Sequence, residues 1–270
     1  MSILRRIRWK ELLLICLPPI IWTLIMLVPL EYREPLKLQF DGFQIWQLFT
    51  WIFVHDDWNH LVNNIGGYLL AAFTCYILAT SIHETRRYLR LFTIAILFFI
   101  VISSILSMLI IHPYLLPLQK RTMGASGIIA FIFGLIPFLW LKCLYPKKMR
   151  LKIVAISLVS FSLFALGDIW AIYYANDSLS IILLFSVLLL LCSVLWNIRY
   201  IKKPFSKNIS NIRKIPILLL PVIAFITGVI LLFPAQIVSK TNSTDIIIHT
   251  LGLLSGIILS FLLLYLQNDK

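Results

Sequence analysis

The sequence predicts an all-α polytopic membrane protein of eight transmembrane spans. Three observations predict it. Of the 270 residues, 60% are hydrophobic and the mean hydropathy is +0.95, whereas a soluble domain is usually about 45–50% apolar. Several apolar runs exceed the roughly 18 residues needed to cross a hydrocarbon core about 30 Å thick. The formal charge of +13 is carried in short clusters between those runs. In a soluble protein such a charge points to nucleic acid; in this arrangement it sets orientation in the membrane.

The spans follow in order. The basic stretch Met1 to Lys10 opens like a signal peptide, but the apolar run at 11–30 is longer than an ordinary signal core and no small-residue cleavage site follows it. An uncleaved first span is expected. Further spans are expected at 61–82, 89–111, 126–144, 151–172, 179–196, 215–233 and 245–266. The longest connection, 31–60, is amphipathic and carries Trp46, Trp51 and Trp58, residues that favour the headgroup zone, so it is expected to lie in the interface. The basic stretch 200–214 reads as a loop beside anionic lipid.

Charge tests the count. With the N-terminus inside and strict alternation, the inside segments hold nineteen of the 24 basic residues, and the outside segments hold only Arg33, Lys37, Lys120, Arg121 and Lys240. That asymmetry is the positive-inside pattern for eight spans with both termini cytoplasmic in a cell membrane; a miscount by one span would destroy it. The four cysteines (Cys16, Cys75, Cys143, Cys192) are far apart in apolar surroundings without ligand spacing. They read as small buried apolar side chains. No cofactor and no metal is expected.

Polar groups inside a membrane are costly, so each marks a candidate site. Gly124-Ala125-Ser126-Gly127 opens the fourth span. A serine at a helix N-terminus has free backbone N–H groups nearby that suit an oxyanion; small-residue packing or an N-cap is the competing reading. His249 lies about one turn inside the last span, where a neutral imidazole can act as general base or simply bond a neighbouring helix. Gly252 and Gly256 follow it as a GxxxG pair that admits close helix packing. His60 and Asn64, four apart, share one face of the second span and can donate to an oxyanion or a substrate carbonyl, or cap the interface. His55 and His60 are poorly spaced for two metal ligands on one helix. Three spans separate the Ser126 and His249 helices, so those two helices should run parallel, with both residues near the outer surface. His60 and Asn64 start a helix from the same side.

Taken together, these residues resemble the rhomboid family. The stretch from Ile45 through His55, with His60 and Asn64, is similar to the rhomboid first loop and second helix; Gly124-Ala125-Ser126-Gly127 is similar to the GxSG motif; His249, Gly252 and Gly256 resemble the HxxGxxxG helix. The resemblance implies a six-helix catalytic core and a Ser–His dyad without an acidic third member. Ser126 would be the nucleophile and His249 the base, with His60, Asn64 and Gly124 around the oxyanion. It implies single-span membrane proteins as substrates, cut near the outer end of their helix. A catalytically inactive relative that binds client helices, or a small transporter, is the alternative. The chain departs from the family at Gln47, where members often carry arginine after the tryptophan, and in having three helices where the basic fold has one between serine and histidine. The expected layout is one transmembrane domain over 1–270, with 31–60 as first loop and two extra spans within 145–235.

Overall fold

The computed structural model describes residues 8–109, 121–144, 215–232, 238–239, 242–243 and 246–268. Within them, long helices fall at six of the eight predicted positions; the runs at 151–172 and 179–196 lie outside the described residues. The helices are α1 (Trp9–Met26), α4 (Trp58–Ser81), α5 (Thr85–Leu106), α6 (Ser126–Leu144), α7 (Ile215–Leu232) and α8 (Ile246–Asn268), with two one-turn helices, α2 (Leu30–Arg33) and α3 (Gln47–Thr50), in the first loop. By length and composition, α1, α4 and most of α6 can cross a membrane, and α5, α7 and α8 contain shorter apolar stretches.

Boundaries follow local chemistry. The first helix was expected to reach residue 30 but ends at Met26, because Pro29 pushes its predecessor out of the helical region. Pro29 then caps the separate turn α2. The second long helix starts at Trp58, three residues before its apolar run. Asp57 is its N-cap, and the carboxylate accepts the His60 backbone N–H at 2.8 Å.

α6 is the centre of the bundle. All residues from Gly127 to Lys142 are buried. Its partners on α8 advance in step with it: Gly127 meets Ile248, Ala130 meets Gly252, and Gly134 meets Gly256. The two helices therefore run parallel. Its partners on α4 also advance in step, from Gly67 against Ile129 to Cys143 donating to the Leu78 carbonyl. α1 runs the other way, with Arg8 and Glu11 bonded to Tyr76, and Trp22 packed edge-on against Tyr68 with ring centroids 5.3 Å apart. One end of the bundle is tied by Lys142 to Glu84 at 2.6 Å. The other end carries the first loop and the starts of α4, α6 and α8.

The loop is more ordered than an interfacial connection need be. β1 (Leu38–Gln39) pairs antiparallel with β2 (Arg121–Thr122), Leu38 opposite Thr122. A second two-residue pairing joins β3 (Val238–Ser239) to β4 (Asn242–Ser243). These strands are too short to leave a period-two pattern in the sequence. Gln47, only 2% exposed, holds the loop together: its Oε1 accepts the N–H groups of Gln39 and Gln44, and its Nε2 donates to the Pro35 carbonyl at 3.1 Å. An arginine, which only donates, could not accept the two N–H groups that this amide oxygen receives. The departure at this position thus has a structural counterpart. Lys37, 1% exposed, bonds Glu34 at 2.7 Å and Asp56 at 2.9 Å, and Arg121 reaches the other Glu34 oxygen. The indole of Trp51 donates to Ser104 of α5 at 2.7 Å.

Candidate active site

Ser126 is the first residue of α6, so the backbone N–H groups of its first turn have no partner within the helix. His249 lies in the first turn of α8 and is 5% exposed. Its Nε2 is 2.6 Å from Ser126 Oγ, across 123 residues of sequence. Its Nδ1 is 2.7 Å from the carbonyl oxygen of Leu232, the last residue of α7. A carbonyl oxygen only accepts, so the neutral ring carries its proton on Nδ1 and donates it to Leu232. Nε2 is then left with a lone pair, and the Ser126 hydroxyl donates to it.

Close helix packing makes this contact possible. A Cβ on Gly252 would run into the Gly127 carbonyl oxygen, and one on Gly256 into the Phe131 carbonyl oxygen; Gly134 and Gly127 face α8 with the same restriction. Small residues on both helices bring the two backbones together, and His249 sits one turn before Gly252, at the mouth of that seam.

His60 and Asn64 approach the same point from α4. Gly124 has φ +103°, a conformation strained for any residue with a side chain. A Cβ there would also come within 3.0 Å of the His60 ring and 3.6 Å of Asn64 Nδ2. The Gly124 N–H donates to the Trp51 carbonyl at 3.0 Å, hooking the turn onto the first loop. Asn64 is buried, and its Nδ2 has no hydrogen-bond partner among the described residues. The Ser126 N–H end, His60 and Asn64 thus surround the Gly124 turn, with a spare donor facing it.

His55 lies just before α4 and packs on the His60 ring edge to face, with centroids 5.1 Å apart, and against Trp22 at 5.8 Å. Burial first, and then the neighbouring His60, push its pKa down to about 3. The ring is therefore neutral at ordinary pH. Its backbone carbonyl accepts from Arg33 at 2.9 Å. Among the described residues no group of three metal-ligating side chains occurs.

Sequence reasoning did not find Leu232, whose contribution is a backbone oxygen; the nearest signal in the sequence was Pro234, since a proline disfavours helix at the residue before it. It did not find the Lys37–Glu34–Asp56–Arg121 cluster either, since those charges are scattered along the chain and look like ordinary loop polarity.

No curated protein matches the chain, and no solved structure does. The family model described as the rhomboid domain matches residues 42–183. That is more than half of the chain, and it includes His60, Asn64, Gly124 and Ser126, while His249, Gly252 and Gly256 lie beyond it. On that match, a helical membrane-type chain with these motifs in this order belongs to the rhomboid family.

Proposed function

We propose that this protein is an intramembrane serine protease that cleaves single-span membrane proteins near the outer membrane surface with a Ser126–His249 dyad. The observation that carries this reading is the 2.6 Å contact between Ser126 Oγ and His249 Nε2. Membership of the rhomboid family supports the reaction class. In the proposed reaction Nε2 takes the hydroxyl proton as Oγ attacks the scissile carbonyl carbon. The new oxyanion is received by the Ser126 N–H, His60 and Asn64. The imidazolium then returns its proton to the leaving amine as the C–N bond breaks. A water, deprotonated by the same imidazole, frees the acyl group and restores the hydroxyl. The fuller architecture belongs to this proposal too: eight spans forming a six-helix core plus two, with both termini cytoplasmic.

The test is reconstitution with a labelled single-span substrate. Wild type should cleave it, while Ser126→Ala and His249→Ala should each abolish cleavage and remain folded. The double variant should be little worse than either single, because the pair acts as a unit. Near-full activity in either single variant would sink the assignment.

A further inference from the structure

We propose that the C-terminal end of α7 is the third member of the catalytic group: the Leu232 backbone carbonyl fixes the tautomer of His249 and stabilises its charged form. This rests on the dyad reading above and extends it to a group no side chain supplies. In a serine–histidine–carboxylate arrangement the acid holds the imidazole in the productive tautomer and offsets the imidazolium charge. Here both tasks have a candidate in the backbone carbonyl bonded to Nδ1.

The geometry assigns the first task. Nδ1 and the Leu232 oxygen are 2.7 Å apart, and Nε2 and Ser126 Oγ are 2.6 Å apart. A ring protonated on Nε2 would lose the bond to Leu232 and could no longer accept the serine proton. The carbonyl therefore selects the one neutral tautomer that can act as base.

The electrostatics of a helix end assign the second. Leu232 is the last residue of an 18-residue helix. The final four carbonyls of a helix have no intrahelical partner, and together they carry about half a negative charge. A cation placed there is stabilised, and imidazolium is the cation the reaction creates. Pro234 suits this role from the sequence side, since a proline disfavours helix at the residue before it.

Packing fixes the end of α7 in place. Gly228 lies one turn before Leu232, hence on the same face, and a Cβ on it would collide with the Phe133 ring of α6. Ala224, Phe225 and Leu232 are buried, whereas Leu219, Leu220 and Ile223 are exposed. α7 is thus seated on the helix that carries the nucleophile, and its last carbonyl is delivered to the base. Leu232 acts through His249 and is a positioning residue.

The experiment weakens that one oxygen without changing a side chain. Replacing Phe233 in the full chain by its α-hydroxy acid turns the Leu232 carbonyl into an ester carbonyl, a poorer acceptor. The same change at Val229 weakens a carbonyl one turn earlier and serves as control. We expect the ester at 233 to lower kcat about tenfold with KM little changed, as for loss of part of one transition-state interaction. We expect ¹⁵N NMR of His249 to show the Nδ1–H form in wild type, with a weakened Nδ1–H hydrogen bond in the 233 ester only. Equal losses of kcat in both esters with an unmoved imidazole spectrum would overturn the proposal. So would an Nε2–H ring in wild type. Should wild type prove inactive, the protease reading fails, and the spectrum alone still decides whether Leu232 sets the tautomer.

Discussion

His60 and Asn64 illustrate how little of a side chain's role is local. Each is an ordinary polar residue at the start of a helix, yet both abut Gly124, whose missing Cβ leaves room for them. If they serve the oxyanion, truncating either removes one donor among several. His60→Ala and Asn64→Ala should each lower kcat by about 10²–10³-fold while KM changes little. Steady-state kinetics on the reconstituted substrate will decide; an effect confined to KM would move them to substrate binding. His55 is a neighbour with a different task. Its folded pKa is about 3 against 6.5 for the free side chain, so between those values the unfolded chain binds the extra proton. Stability therefore falls as pH drops below about 6.5, by up to tenfold in the folding equilibrium per pH unit. His55→Phe keeps a ring against Trp22 and removes the titration. Its thermal midpoint in detergent should fall less than that of wild type between pH 7 and pH 4.

At the scale of elements, the seam between α6 and α8 decides whether serine and histidine meet. Helix axes commonly lie about 8–10 Å apart, and a Ser–His hydrogen bond needs about 2.6–3.2 Å. Glycines reconcile the two. Gly252 backs onto the Gly127 carbonyl, with Ala130 Cβ 3.2 Å from the position a side chain would take, and Gly256 backs onto Phe131 and Gly134. Gly252→Val or Gly256→Val should push the helices apart and abolish proteolysis although neither residue has any chemistry. Disulfide trapping between cysteines placed along the seam would report the separation, and two fully active valine variants would refute the argument. The HxxGxxxG spacing made this face legible in advance. The matching glycines on α6 were not read as its partners, because Gly127 passed as part of the serine motif.

At the scale of the molecule, charge does two jobs. Scattered along the chain, it underlies the proposed orientation. In the proposed topology, which divides the basic residues nineteen to five, a cysteine introduced as Ser2→Cys should resist impermeant reagent on intact cells and react after permeabilisation. Ready labelling from outside would invert the bundle or change the span count. Gathered by the fold, charge also clamps the first loop: Lys37 joins Glu34 and Asp56, and Arg121 joins Glu34 just before the Gly124 turn. Lys37→Met leaves two carboxylates without their shared cation. Because both are partly exposed, the cost should be about 1–3 kcal/mol, between the surface and the buried limits. Chemical denaturation in detergent measures it, and an unchanged midpoint would show that the cluster is incidental.

The membrane class, the positions of six described helices and the identities of the polar residues that converge were legible in the linear chain. Those properties are written in hydropathy, helical period and motif spacing, which a linear reading preserves. It also placed the serine, the histidine and the His60–Asn64 pair at one end of the bundle, because alternation across a bilayer is a parity argument needing no coordinates. The rest came from the folded chain. Gln47 as the loop's hub, the ion-pair cluster around Lys37 and the Leu232 carbonyl on His249 each depend on groups distant in sequence meeting in space. The last is a backbone atom, identical in every residue, and becomes particular only by where a helix happens to stop.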